Sequence, residues 1–164
     1  MNFNELINNI KTRLNEPLPG SSAHIKLAPY RKDTLNTDFS KYNPKLASTL
    51  LFLYQNNEKT NFVLIQRPDY SGTHGGQISF PGGKKEKNES LIETAIRETN
   101  EEIGIETSEI KILGKLSQVY VPPSNFLITP YIGYADKMPI FNPDPSEVTK
   151  VLEIELNELL KEDV

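Results

Sequence analysis

Gly83-Lys-Lys-Glu-Lys-Asn-Glu89, seven further residues, and then Arg97-Glu98-Thr99-Asn100-Glu101-Glu102-Ile103-Gly104-Ile105 is the stretch on which the reading of this chain turns. Ser90 and Glu93 form a capping box ahead of the longest helical pattern in the sequence, and Gly104 stands where a helix C-cap glycine belongs. The spacing predicts one helix from Ser90 to about Glu102. At about 100° per residue, Glu98, Glu101 and Glu102 fall within one arc of it. Ile92, Ile96, Thr99 and Ile103 fall on another arc, roughly 90° or more away, and are expected to bury against a sheet while the glutamates open to a cleft. Like charges three and four residues apart repel by some tenths of a kcal/mol per pair, so this face calls for a compensating cation. A hard divalent ion that prefers carboxylate, water and phosphate oxygens is the natural candidate.

Outward from this segment, the chain alternates helical and strand patterns. Phe3, Ile7, Ile10 and Leu14 make one apolar stripe on a first helix, ended by Pro17, Pro19 and Gly20. Residues 21–46, with Pro29 and Pro44, read as an irregular segment. Ser48 to Tyr54 and Asn61 to Arg67 read as two strands of a hairpin across the polar stretch Gln55 to Thr60. Tyr70 to Gly76 reads as a polar loop, Gln77 to Phe80 as a short strand, and Pro81-Gly82-Gly83 as a break. Ile110 to Tyr120 and Phe126 to Tyr134 are strand candidates around Pro122-Pro123. Leu152, Ile154 and Leu156 alternate with Glu153 and Glu155 as a half-buried strand does. This order predicts a mixed sheet with helices packed on it.

Composition narrows the chemistry. At 164 residues the chain is long enough for one domain with a real core and short for two. Zero cysteines exclude thiolate sites, and two histidines, His24 and His74, make a histidine-rich zinc site a poor expectation. Any metal is therefore expected on oxygen. A net charge of −4 argues against a nucleic-acid backbone as the main partner but permits a small phosphorylated ligand. No apolar run approaches the roughly 20 residues that span a bilayer, so no membrane partner is expected. The first residues lack a basic start, an apolar stretch and a small-residue cleavage site, so the expected location is cytoplasmic.

An isolated E-x-x-E-E is usually a solvated acidic face, but here seven identities stand at fixed spacing, which chance supplies about once in 10⁸ starts or fewer. The segment resembles the Nudix hydrolase box, G-x5-E-x7-R-E-U-x-E-E-x-G-U with U bulky and aliphatic, and departs from it only at Thr99. That resemblance implies an α/β/α sandwich of the Nudix type with a mixed β-sheet. It also implies a loop-helix-loop that works with Mg²⁺ or Mn²⁺ to hydrolyse a nucleoside diphosphate linked to another group. Carried over by position, Glu98 and Glu102 are the expected metal ligands with Glu101 as a third, and Glu98, Arg97 and Glu101 form the catalytic group. Arg97 is expected to orient the glutamates by ion pairing, and Gly83 to let the backbone approach metal or phosphate. The general base stays open between Glu98 and Glu147.

Upstream, Arg67, His74, Gly76, Ile78 and Phe80-Pro81-Gly82-Gly83 are similar to the motif of the coenzyme A pyrophosphatase branch, with departures at Pro68, Ser71 and Gly72. Pro122 to Phe126, Pro130 to Gly133 and Pro145 to Val148 resemble its later segments, so the likeness spans about residues 45–160. It implies cleavage of coenzyme A or its thioesters to 3′,5′-ADP and 4′-phosphopantetheine, with Arg67, His74 and Gly83 on the substrate. Relatives in this branch continue beyond the last strand with a closing helix. The resemblance therefore implies a chain truncated at its C-terminus, with the bare face left to the first helix or to a second copy in a homodimer. Two alternatives stand beside this reading. One is hydrolysis of another nucleoside diphosphate derivative such as ADP-ribose, a dinucleotide or an oxidised nucleotide. The other is a non-catalytic nucleotide-binding module, against which the intact Glu98, Glu101 and Glu102 count.

Overall fold

The computed structural model describes residues 1–27, 38–69 and 75–161. Helix α1 (Phe3–Leu14) is followed by a short α2 (Ser21–Leu27) and a 3-10 turn at Phe39–Tyr42. Strands β1 (Lys45–Asn56), β2 (Lys59–Gln66), β3 (Ile78–Ser79) and β4 (Gly82–Lys84) precede helix α3 (Leu91–Ile103). Strands β5 (Lys111–Lys115), β6 (Val119–Val121), β7 (Phe126–Tyr134) and β8 (Lys150–Glu155) complete the series.

All eight strands join one sheet, mixed because β1 pairs parallel with β7 while the remaining pairs are antiparallel. The sheet is buried on both faces, as the apolar content of β1 requires. Leu50, Phe52 and Tyr54 turn to the cluster that holds Ala95 and Ile103 of α3. Leu51 and Leu53 turn to the cluster that holds Phe3 and Ile7 of α1. This period-two division makes an α/β/α sandwich. The stripe on α1 packs as its spacing predicts: Phe3 and Ile7 are buried, and Ile10 lies against the same cluster. A capping box between Asn2 and Glu5 starts that helix. The face opposite α3 is thus covered by α1.

Three local readings change, and a fourth goes largely untested. The hairpin turn is only Asn57-Glu58, so the strands run further into the polar stretch than its composition suggests; Asn57 takes the left-handed conformation that asparagine tolerates. Within residues 21–46, Ser21–Leu27 is helical, too short to display a periodic stripe. The Tyr70 to Gly76 loop lies mostly outside the described residues. Pro81-Gly82-Gly83 is not a simple break, since Gly82 and Gly83 belong to β4, with Thr49 opposite Gly82 and Ser48 opposite Gly83. Gly82 has φ +149, and a Cβ on it would lie 2.3 Å from the Ser48 carbonyl oxygen. Only glycine lets the two backbones approach this closely.

That pairing positions the site. β2 runs beside β1 as far as Leu53↔Phe62 and then diverges from it, pairing with β3 at Ile65 and Gln66, while β8 pairs with β2 throughout Asn61 to Gln66. β4 takes the edge of β1 that β2 has left, at Ala47 to Thr49. α3 packs across β1 and β4, so the box helix sits above the divergence.

Candidate active site

The box helix runs Leu91–Ile103, starts on the Ser90–Glu93 capping box and ends at Gly104, whose φ of +72 is the left-handed C-cap. Its buried residues are Thr94, Ala95, Thr99, Glu102 and Ile103. The expected burial of Ile92 is therefore corrected: in the first turn, where Leu91 packs on the core instead, it is 40% exposed. Ile96 is partly buried against the core. Thr99 is fully buried, and its hydroxyl donates to the Ala95 carbonyl at 2.7 Å, so its polar atom is satisfied inside the helix.

Glu102 departs further from expectation, because it is buried and does not open to a cleft. One carboxylate oxygen accepts from Arg67 Nη2 at 2.8 Å and the other from the Gly82 N–H at 2.8 Å. Ala95, Thr99, Glu102 and Ile103 thus form one buried i, i+4, i+7, i+8 stripe, with a carboxylate in the place of an apolar side chain. Such burial requires two good donors, and these are present.

Arg97 gathers the remaining box carboxylates. It bonds Glu89 through Nε and Nη2, both at 3.0 Å, Glu98 at 3.0 Å and Glu101 at 2.7 Å. Glu89 also accepts from the Glu86 N–H and the Thr94 hydroxyl, so the loop before the helix is tied back to it. The bidentate pair with Glu89 is the well-sheltered one, whereas Glu101 is half exposed and its pair contributes little. Glu98 lies against Gly83: a Cβ there would sit 2.5 Å from its carboxyl carbon and both oxygens. Since the obstructed atoms end a flexible side chain, Gly83→Ala is expected to leave stability nearly unchanged but displace the Glu98 carboxylate. Steady-state kinetics should show kcat lowered about tenfold or more, as a displacement near 1 Å costs up to about 100-fold. Unchanged kcat would mean that the Glu98 position is unimportant.

Burial raises the Glu98 carboxyl above its usual range and lifts Glu102 to about 7, against the Gly82 N–H and Arg67. Glu147, on an exposed turn, pushes both in the same direction. Bonding to Arg97 holds Glu89 down to about 2. For Glu102 the native state binds the proton more tightly than the unfolded chain, so its protonated form favours folding at low pH. That contribution disappears as pH rises from the ordinary 4.5 toward about 7. Denaturant titrations in chelator should show stability falling across that window, and Glu102→Gln should flatten the fall.

Among the described residues no three carboxylate or imidazole groups converge on a point that could hold a metal ion. Glu98, Glu101 and Glu102 share a helix face without sharing a focus, because Arg97 draws Glu101 outward and Arg67 with Gly82 holds Glu102 inward. The donor chemistry still fits a hard divalent cation. Arg67 and Arg97 are outnumbered by Glu89, Glu98, Glu101, Glu102 and Glu147, and repulsion from neighbouring carboxylates adds to the burial that raises Glu98 and Glu102. Glu147 therefore belongs with the box electrostatically, although in the sequence it is one carboxylate of a polar turn.

Two cavities meet at this point. One, of about 460 Å³, occupies the divergence of β1 and β2 and is lined by Phe80, Val121, Phe126 and Ile128, with Arg67 and Gly83 on its wall. The other is an open groove of about 630 Å³ lined by Lys84, Lys85, Glu86, Lys87 and Glu98. Lys84 borders both. Arg67 and Gly83 thus stand beside the box, while His74 lies outside the described residues.

Residues 44–163 match the NUDIX domain. The chain belongs to the Nudix family. It is 39% identical over 100 residues to a protein named Uncharacterized Nudix hydrolase NudL from Yersinia enterocolitica, covering 60% of this chain and 51% of that one. It is 34% identical over 117 residues to Nudix hydrolase 3 of Caenorhabditis elegans, covering 70% of this chain and 49% of that one. The chain therefore spans about half the length of these curated relatives. Among solved structures it resembles the Nudix hydrolase RenU of M. smegmatis, with a TM-score of 0.60, 17% identity, and 71% and 74% of the two chains covered. It also resembles the Nudix domain of Shewanella oneidensis NrtR in complex with ADP-ribose, with a TM-score of 0.57, 18% identity, and 78% and 84% covered. At these identities the likeness establishes the Nudix fold and nothing finer. No helix among the described residues is long and apolar enough to cross a membrane.

Proposed function

We propose that this chain is a single Nudix hydrolase domain that cleaves the pyrophosphate of coenzyme A or its thioesters, yielding 3′,5′-ADP and 4′-phosphopantetheine. The observation that carries this reading is the junction of two unlike cavities at the box. An apolar cavity faced by Phe80, Val121, Phe126 and Ile128 abuts a lysine-lined groove, with Gly83, Lys84 and Glu98 between them. Coenzyme A has the matching polarity: an uncharged pantetheine arm on one side of its anhydride, and a nucleotide bearing an extra phosphate on the other. The uncharged arm suits the apolar cavity and the anionic end suits the lysines.

In this reading Glu98 and Glu102 hold the cation, with Glu101 as a further ligand, and Mg²⁺ or Mn²⁺ suits an all-oxygen donor set. When bound, such an ion supplies Lewis-acid stabilisation of the charge that develops on the phosphorus oxygens. Glu98, raised by burial and packed on Gly83, is placed to take a proton from attacking water. Arg97 keeps Glu98 and Glu101 oriented through its fork of bonds. Gly83 lets a phosphate approach the backbone, the resemblance assigns His74 to the substrate, and Arg67 stands on the wall of the apolar cavity with its Nη2 engaged by Glu102 and Gly82.

The competing reading is another nucleoside diphosphate derivative. Its support is that neighbours in fold include a domain bound to ADP-ribose and an Ap4A hydrolase. A product screen across coenzyme A, ADP-ribose, NADH and diadenosine tetraphosphate, with Mg²⁺ and with Mn²⁺, decides between them. Coenzyme A is expected to give the highest kcat/KM. A preference of more than about tenfold, or 1.4 kcal/mol, for another substrate would replace this assignment.

A further inference from the structure

We infer that Arg67 is a positioning residue, acting through Glu102 and Gly82 on the reactive edge of the box rather than gripping the substrate's phosphate. The inference rests on the hydrolytic reading above. A single nitrogen, Nη2, donates both to Glu102 at 2.8 Å and to the Gly82 carbonyl at 3.1 Å. The Gly82 N–H returns to the other oxygen of Glu102 at 2.8 Å. This closed triangle joins the residue after β2, the first residue of β4 and the last turn of α3, elements among which β2 and β4 share no strand pairing.

The triangle also reaches the reactive carboxylate. Gly83, next to Gly82, is the surface against which Glu98 rests. A shift of Gly82 therefore carries Gly83 with it and changes the place of Glu98, although Arg67 does not touch Glu98. The Glu102 side chain is 0% exposed and the Arg67 side chain 25%, so the bond between them is sheltered and directional. Without Arg67 one buried carboxylate oxygen has no donor, and β4 loses a tie to the helix.

The test compares Arg67→Ala with Arg67→Lys in the full chain. One ammonium nitrogen can replace one Nη2, whereas a lysine cannot reproduce a bidentate guanidinium grip on phosphate. For the best wild-type substrate, Arg67→Ala should lower kcat by about tenfold or more with KM within about threefold, and Arg67→Lys should recover most of the loss. Gly82 amide exchange, followed by NMR in metal-free and substrate-free protein, should accelerate in Arg67→Ala and slow again in Arg67→Lys. A raised KM with unchanged kcat, or an Arg67→Lys protein no better than Arg67→Ala, would overturn the inference. Should Arg67→Ala not fold, Arg67→Lys decides: near-wild-type kcat and KM support positioning, and a raised KM refutes it. If the wild-type protein cleaves none of the screened substrates, the hydrolytic reading fails while Gly82 exchange still tests the triangle. Protection that follows the Ala and Lys variants supports it, and protection indifferent to both overturns it.

Discussion

Glu98→Gln is expected to lower kcat by about two to four orders of magnitude, the range associated with losing a positioned acid-base group. The carboxylate is mostly buried, borders the lysine-lined groove and rests on Gly83, so the amide can occupy the same space. It cannot accept the proton or bind a cation with comparable charge. Stability should change little or increase slightly, because the substitution removes a carboxyl that burial disfavours in its charged form. Product chromatography with matched circular-dichroism melts checks both halves of the expectation. Near-normal turnover from a folded Glu98→Gln protein would place the reaction elsewhere. Glu147, which acts electrostatically on both Glu98 and Glu102, would then become the first residue to test as the base.

Excess chelator should reduce turnover to background, and Mg²⁺ or Mn²⁺ should restore it. The physical reason is the charge inventory. Arg97 is shared among Glu89, Glu98 and Glu101, and Arg67 is committed to Glu102. Both guanidiniums are thus engaged by carboxylates, and the lysines line the groove for the anionic end of the substrate, so a pyrophosphate brought against the carboxylates would be repelled unless a divalent ion stood between them. Nudix hydrolases in general use divalent metal ions. Titrating each metal into stripped protein while recording initial rates distinguishes the two ions. Full activity in chelator would remove the cation from the mechanism altogether.

The box was legible in the sequence because its information is local. Capping at Ser90, termination at Gly104 and the common arc of Glu98, Glu101 and Glu102 follow from backbone hydrogen bonding and the 3.6-residue period, which operate within a few residues. The stripe on α1 was legible for the same reason. Periodicity also divided α3 into a core arc and a charged arc, but it could not locate the edge between them. Ile92 falls outside the core while Leu91 and Ala95 pack inward at the same end of the helix, and Glu102 falls inside because distant residues supply its donors.

Those distant donors mark what belongs to tertiary structure alone. Arg67 and Glu102 meet across 35 positions and Gly82 and Glu102 across 20, so no helical or strand period relates them. Gly82 and Gly83 read as a break because glycine is weak in an isolated strand. They form one because β1, left on that edge by β2, offers backbone groups to pair with, and Gly82 has no Cβ to meet the Ser48 carbonyl. The amino-acid order by itself determined the helix, its charges and the family. The packing of β1, β2 and β4 decided which carboxylate is buried, which faces the groove and where the cavities meet, since burial and hydrogen-bond partners exist only once separate segments share space.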